Sequence, residues 1–107
     1  GYVKDHYREH ITLESAAEFV GYSPSYLSRV FKADMGSSFN NYLNEYRIEK
    51  SKVLLLEEGA TVLSVSQDVG FDDSSYFSKV FKRVTGVPPG KFREAGGRLP
   101  RRNEGIA

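Results

Sequence analysis

Apolar side chains recur along this chain at the three- and four-residue spacing of helix faces, in short runs separated by sharp breaks. The longest uninterrupted run is Ser38 to Glu58, which contains no glycine, proline or turn cluster and is expected to be the longest helix. Stepped at about 100° per residue, Phe39, Tyr42, Leu43, Tyr46, Val53 and Leu54 share one broad face, while Ile48 and Leu55 point away from it. A helix facing one core needs one stripe. Two stripes imply that this helix serves two bodies, one on each side of it in sequence.

The preceding residues supply the first body. Tyr2 to Glu9 is a short amphipathic piece with Val3 and Tyr7 one turn apart. Thr12 is placed to cap a helix that runs to Val20, with Ala16, Ala17 and Val20 as its inward face and Gly21 as its end. Ser23 then caps a second helix, with Pro24 at the first helical position where its missing N–H costs nothing. That helix continues through Tyr26, Leu27, Val30 and Phe31, which have core spacing, to about Met35, and Gly36 stops it. Two short helices joined by a tight glycine-containing turn form a helix-turn-helix pattern.

Beyond Glu58 the pattern returns. Thr12 and Ser15 match Thr61 and Ser64, and Val20-Gly21-Tyr22 matches Val69-Gly70-Phe71. After one extra residue in the second turn, Tyr26-Leu27-Ser28-Arg29-Val30-Phe31-Lys32 matches Tyr76-Phe77-Ser78-Lys79-Val80-Phe81-Lys82, and Gly36 matches Gly86. This internal duplication sets the architecture. The second copy is expected to place helices over 62–69 and 74–84, with Asp72 or Asp73 as cap. Pro88-Pro89 opens a last short helix toward Ala95. The fold class is therefore all-α, with two helix-turn-helix subdomains (1–37 and 59–95), a connecting helix (38–58) and a flexible basic tail (96–107). About 20 residues of helix span roughly 30 Å, close to the roughly 34–36 Å between major-groove faces on one side of B-DNA.

The residues left outward by this packing carry the chemistry. In the second helix of a helix-turn-helix unit, the N-terminal half reads base edges in the major groove. The first copy leaves Ser25, Ser28, Arg29 and Lys32 outward; the second leaves Ser74, Ser75, Ser78, Lys79, Lys82 and Arg83. Neither stretch contains an acidic residue, and small hydroxyls with cations suit a phosphate-lined groove. The net charge is only +1, but it is unevenly spread: −5 up to Asp73 and +6 from Ser74 onward. The run Arg98-Leu99-Pro100-Arg101-Arg102 reads equally well as a solvated tail. A second reading, a helical protein-interaction module whose basic face meets an acidic partner, also accommodates these residues.

Other classes fare worse. There is no cysteine, which fits a reducing, cytoplasmic setting and excludes disulfides and Cys-ligated metal. No apolar run approaches the roughly 18 residues of a membrane span. His6 and His10 share a helical face without a well-placed carboxylate and read as surface residues rather than metal ligands. No nucleophile, catalytic constellation, cofactor loop or metal set emerges, so no enzyme, cofactor or metal is expected. The chain opens on Gly1 and reads as a piece of a longer protein.

These residues resemble the AraC/XylS-type bacterial transcription regulators in their DNA-binding domain. The resemblance runs from about Tyr2 to Glu94. It is carried most specifically by Val69-Gly70-Phe71, Ser75 to Lys82, Thr85-Gly86-Val87-Pro88-Pro89 and Phe92-Arg93, with Ala16-Ala17, Ser25 to Lys32 and Arg47-Ile48 alongside. It implies a seven-helix module of two subdomains that binds double-stranded promoter DNA; the helix span given above lets one chain place two recognition helices in adjacent major-groove segments. It further implies an activator that contacts RNA polymerase, with an N-terminal effector or receiver domain outside this chain. By position, base reading falls on Ser25, Ser28, Arg29, Ser75, Ser78 and Lys79. Phosphates fall to Lys32, Ser74, Lys82, Arg83 and the helix N-termini. Ser51 and Ser66 stand where the family tends to have alanine, and each is expected to bond a carbonyl one turn back. Lys79 stands where arginine is frequent, and a point charge discriminates less than a bidentate guanidinium.

Overall fold

The computed structural model describes residues 1–99, and among these the chain is entirely helical. Its helices are α1 (Tyr2–His6), α2 (Leu13–Val20), α3 (Pro24–Met35), α4 (Phe39–Leu55), α5 (Val62–Asp68), α6 (Ser74–Thr85) and α7 (Pro89–Glu94). Residues 100–107, and with them Arg101 and Arg102 of the basic tail, lie outside the described residues.

Local chemistry sets the helix starts. Thr12 and Thr61 each accept a bond from the amide three residues on, while the Ser15 and Ser64 hydroxyls accept one from the cap amide, so both first helices begin with a reciprocal capping box. The serine hydroxyl of Ser23 caps α3 and the carboxylate of Asp73 caps α6. The turns differ as their sequences do. Gly21 ends α2 directly at φ 81°, whereas α5 ends through Val69 and the left-handed step falls on Gly70 at φ 99°.

The chain divides into two compact units, Gly1–Arg47 and the residues from Ile48 onward, and the division falls inside α4. The burial along α4 explains how one helix belongs to both. Phe39, Leu43 and Arg47, spaced by fours, are buried in the first unit; Ile48, Ser51 and Leu55 are buried in the second. Two stripes are present, but their membership differs from the sequence pattern. Val53 is 68 % exposed and belongs to neither. The helix is also three residues shorter at its C-terminal end than expected. Its 17 residues correspond to about 25 Å, rather than the roughly 30 Å expected of 38–58.

In the second unit the core is closed. Phe77 and Phe81 of α6 are fully buried, and ring contacts run from Phe71 to Phe77 (5.2 Å), Phe77 to Phe81 (5.8 Å) and Phe81 to Phe92 (5.3 Å). The first unit is looser. Phe31 meets Phe39 at 5.6 Å and Tyr42 at 5.3 Å, yet no residue of α3 is fully buried. An apolar groove of about 320 Å³, lined by Ala16, Val20, Leu27, Phe31, Met35 and Tyr42 among others, lies along the inner side of α3. Val20, expected inward, is consequently 47 % exposed.

Each unit holds an arginine that ties a helix to backbone distant from it in sequence. In the first, Arg47 is buried and donates from Nε to Tyr7 O (2.8 Å) and from Nη2 to Glu9 O (2.9 Å). In the second, Arg93 of α7 donates from Nη1 to the carbonyls of Leu55, the last residue of α4, and of Glu57. The planar fork of arginine suits this use, because one guanidinium can bond two carbonyls at once. Ser51 and Ser66 behave as expected: both are fully buried, with hydroxyls donating to Ile48 O (2.6 Å) and Leu63 O (2.8 Å).

Candidate nucleic-acid interface

The second helix of each unit presents the same outward face. On α3, Ser25, Ser28, Arg29 and Lys32 occupy positions i, i+3, i+4 and i+7, and all four are exposed. On α6, Ser75, Ser78, Lys79 and Lys82 occupy the same offsets; Ser75, Lys79 and Lys82 are exposed and Ser78 is half-buried. Ser74 is half-buried at the start of α6, and Arg83 is exposed beside Lys82. The structure therefore gathers Ser25, Ser28, Arg29 and Lys32 onto one stripe of α3, and Ser75, Ser78, Lys79 and Lys82 onto the matching stripe of α6, while Ser74 lies about 100° off it. The chemistry of each stripe is short hydroxyls toward the N-terminal half and cations toward the C-terminal half. Asp34, past the reading stretch, is the one carboxylate on α3, and α6 has none.

The cations on this face are not engaged elsewhere. Among the described residues, no cation of this face is in an ion pair, whereas ion pairs such as His6 with Glu9, Lys52 with Glu49 and Lys91 with Glu94 lie on other elements. Arg29, Lys32, Lys79, Lys82 and Arg83 thus keep their donors toward solvent. The two helix starts differ electrostatically. The amide of Tyr26 is held by the neutral Ser23 hydroxyl (3.2 Å), whereas that of Ser75 is held by the Asp73 carboxylate (2.8 Å). A carboxylate at the start of α6 offsets the positive end of its dipole, and the cations Lys82 and Arg83 lie in its last turn.

The sequence pattern assigned Tyr26 and Tyr76 to the core, and this is corrected. Tyr26 is 45 % and Tyr76 49 % exposed, each at the edge of its helix's outward face, while Phe77, Val80 and Phe81 bury as expected. Helical spacing shows which positions could face inward, but not that a neighbouring element reaches that far. Tyr22 in the preceding turn is exposed too and meets the Tyr26 ring edge-on. Neither tyrosine was nominated for the site. The available signal was the proximity of two tyrosines to Arg29 across a tight turn.

No group of three or more potential metal ligands occurs among the described residues. No described helix is long and apolar enough to cross a membrane.

Residues 16–95 match the family model of a helix-turn-helix domain. The arabinose operon regulatory protein of Salmonella typhimurium is 40 % identical over 93 residues, covering 86 % of this chain and 33 % of that protein. The C-terminal domain of AraT, a response regulator from Geobacillus stearothermophilus, superposes with a TM-score of 0.83 at 38 % identity, covering 94 % of this chain and 83 % of that one. The DNA-binding domain of AdpA, a global transcriptional factor solved with a target DNA, shares the fold with a TM-score of 0.81 at 24 % identity, covering 88 % of this chain and 84 % of that one. The chain belongs to the AraC-type helix-turn-helix domains of transcription regulators. It spans about a third of the length of the arabinose regulators it matches.

Proposed function

We propose that this domain binds double-stranded promoter DNA sequence-specifically, laying α3 and α6 into adjacent major-groove segments. The observation that supports this most is the repeated stripe: hydroxyls and unpaired cations at identical offsets on both second helices, on a domain of a DNA-binding regulator family. Ser25, Ser28, Arg29, Ser75, Ser78 and Lys79 face base edges. Arg29 has the bidentate fork suited to guanine O6/N7, while serines donate and accept toward several bases. Lys32, Ser74, Lys82 and Arg83 face phosphates and fix the register. Helix α4 acts as a connecting element between the two readers, the capped units being its ends. In the intact regulator, an N-terminal effector or receiver domain supplies the signal, and the DNA-bound protein contacts RNA polymerase in the cytoplasm as an activator.

Fluorescence anisotropy against duplexes selected from a random pool tests this. Neutralised phosphates release counterions, so the logarithm of the affinity falls linearly with the logarithm of salt, by about 0.9 per contact. A steep negative slope with preference for selected over scrambled duplexes is expected. Affinity that ignores salt, or no binding to any duplex, refutes the reading and favours an interaction with protein.

A further inference from the structure

We propose that Tyr26 is a positioning residue for sequence reading: its ring, braced by Tyr22, holds the Arg29 guanidinium on the exposed face of α3 in the pose from which it contacts a base. This rests on the DNA-binding reading above and adds a part to it.

Two large aromatic side chains nearly half exposed beside one another are unusual unless the surface is used. Here they form a built platform. The Tyr22 and Tyr26 rings meet at 4.9 Å with their planes at 84°, the edge-to-face arrangement that the ring quadrupole favours. Both backbones are fixed: the Tyr22 amide donates to Ala17 O (2.9 Å) in the turn, and the Tyr26 amide to Ser23 Oγ (3.2 Å) at the helix cap. The Arg29 guanidinium carbon lies 6.0 Å from the Tyr26 ring centroid, at the outer edge of cation–π range. The residues are one turn apart, so the stack costs the helix no distortion. Among the described residues Arg29 makes no ion pair, leaving the N–H groups of the fork for an acceptor outside the chain.

A long side chain free in solvent must lose rotamer freedom when it docks on a base, and a pre-stacked one has already lost part of it. The second unit provides an internal contrast. Tyr76 and Lys79 stand in the same relation as Tyr26 and Arg29, but the Tyr76 ring meets Phe71 at 6.0 Å, and Lys79 makes no ring contact among the described residues. The cation one turn after the tyrosine is thus a planar fork resting on a ring in the first unit and a point charge in the second. Base discrimination therefore concentrates at the position facing Arg29.

The test uses the whole chain, a duplex selected by the wild type, and a panel in which each base pair of that duplex is changed in turn. Affinities are measured for Tyr26→Phe, Tyr26→Leu, Arg29→Ala and the Tyr26→Leu/Arg29→Ala double variant, with circular dichroism as the fold control. Tyr26→Leu is expected to weaken binding about two- to five-fold, the range of an exposed cation–π contact. Tyr26→Phe is expected to bind like the wild type. The loss should vanish in the Arg29→Ala background, and Tyr26→Leu should flatten discrimination at the same base pair as Arg29→Ala. Tyr22→Leu, which leaves the stacking ring in place, is a second variant and should flatten that base pair to a smaller degree. Equal losses for Tyr26→Phe and Tyr26→Leu would assign the effect to the hydroxyl and overturn the proposal. So would additive losses in the double variant, or an unchanged base-pair profile in both leucine variants. Wild-type protein that binds no duplex would instead remove the DNA-binding reading itself, and the proposal with it.

Discussion

Replacing Arg47 with alanine should destabilise the first unit selectively. The side chain is 8 % exposed and joins α4 to the chain that leaves α1, through Tyr7 O at 2.8 Å and Glu9 O at 2.9 Å. A hydrogen bond with a charged partner contributes about 1.5–3 kcal/mol, and a buried acceptor left bare adds to the loss. Tyr7 is buried and its carbonyl loses its partner, whereas Glu9 is exposed and its carbonyl can rehydrate. The first bond therefore counts nearly in full and the second in part, for a total of about 2–4 kcal/mol. That is a large share of the roughly 5–15 kcal/mol that holds a domain folded. Arg47→Lys should recover about half of the loss, because one ammonium replaces a planar fork. Arg47→Met, which keeps the stem, should stay near the alanine value. Urea unfolding followed by circular dichroism measures the change. Hydrogen exchange should show protection falling in α2 and α3 while α5 and α6 keep theirs. A loss below about 1 kcal/mol for Arg47→Ala, or a lysine variant as stable as the wild type, would refute the reasoning.

The same structure fixes other outcomes. Phe81→Ala, in the closed core of the second unit, should cost about 3–5 kcal/mol in urea unfolding, and Phe31→Ala, on the open groove, no more than about half of that. Ser66→Ala should change stability by less than about 1 kcal/mol, since the hydroxyl bonds a carbonyl within its own helix. Lys82→Ala should weaken binding equally on all duplexes and lower the salt slope by about one, as measured by anisotropy at several salt concentrations.

Much of this architecture could be read from the residues because the signals were local and repeated. Thr12/Ser15 and Thr61/Ser64 announce helix starts through short-range bonds, and the matched blocks around Val20-Gly21 and Val69-Gly70 expose the duplication. The two stripes of α4 followed from periodicity, but Val53 did not, because spacing cannot tell whether anything lies opposite. Val20 and Tyr26 were assigned inward for the same reason and are half exposed beside a thin core. The exposed hydroxyl-and-cation faces of α3 and α6 were legible as the remainder after packing. The arginine anchors were less so: Arg47 lies one turn beyond Leu43 on the buried stripe, and a cation there signals acceptors that only the folded chain brings near.

The central claim is that one chain reads DNA with two helices, and hydroxyl-radical footprinting on a selected duplex tests it most directly. The account predicts two protected blocks on one side of the duplex, centred about 10–10.5 base pairs apart. Arg29→Ala should weaken one block and Lys79→Ala the other. A single block, lost as a unit in either variant, would contradict it.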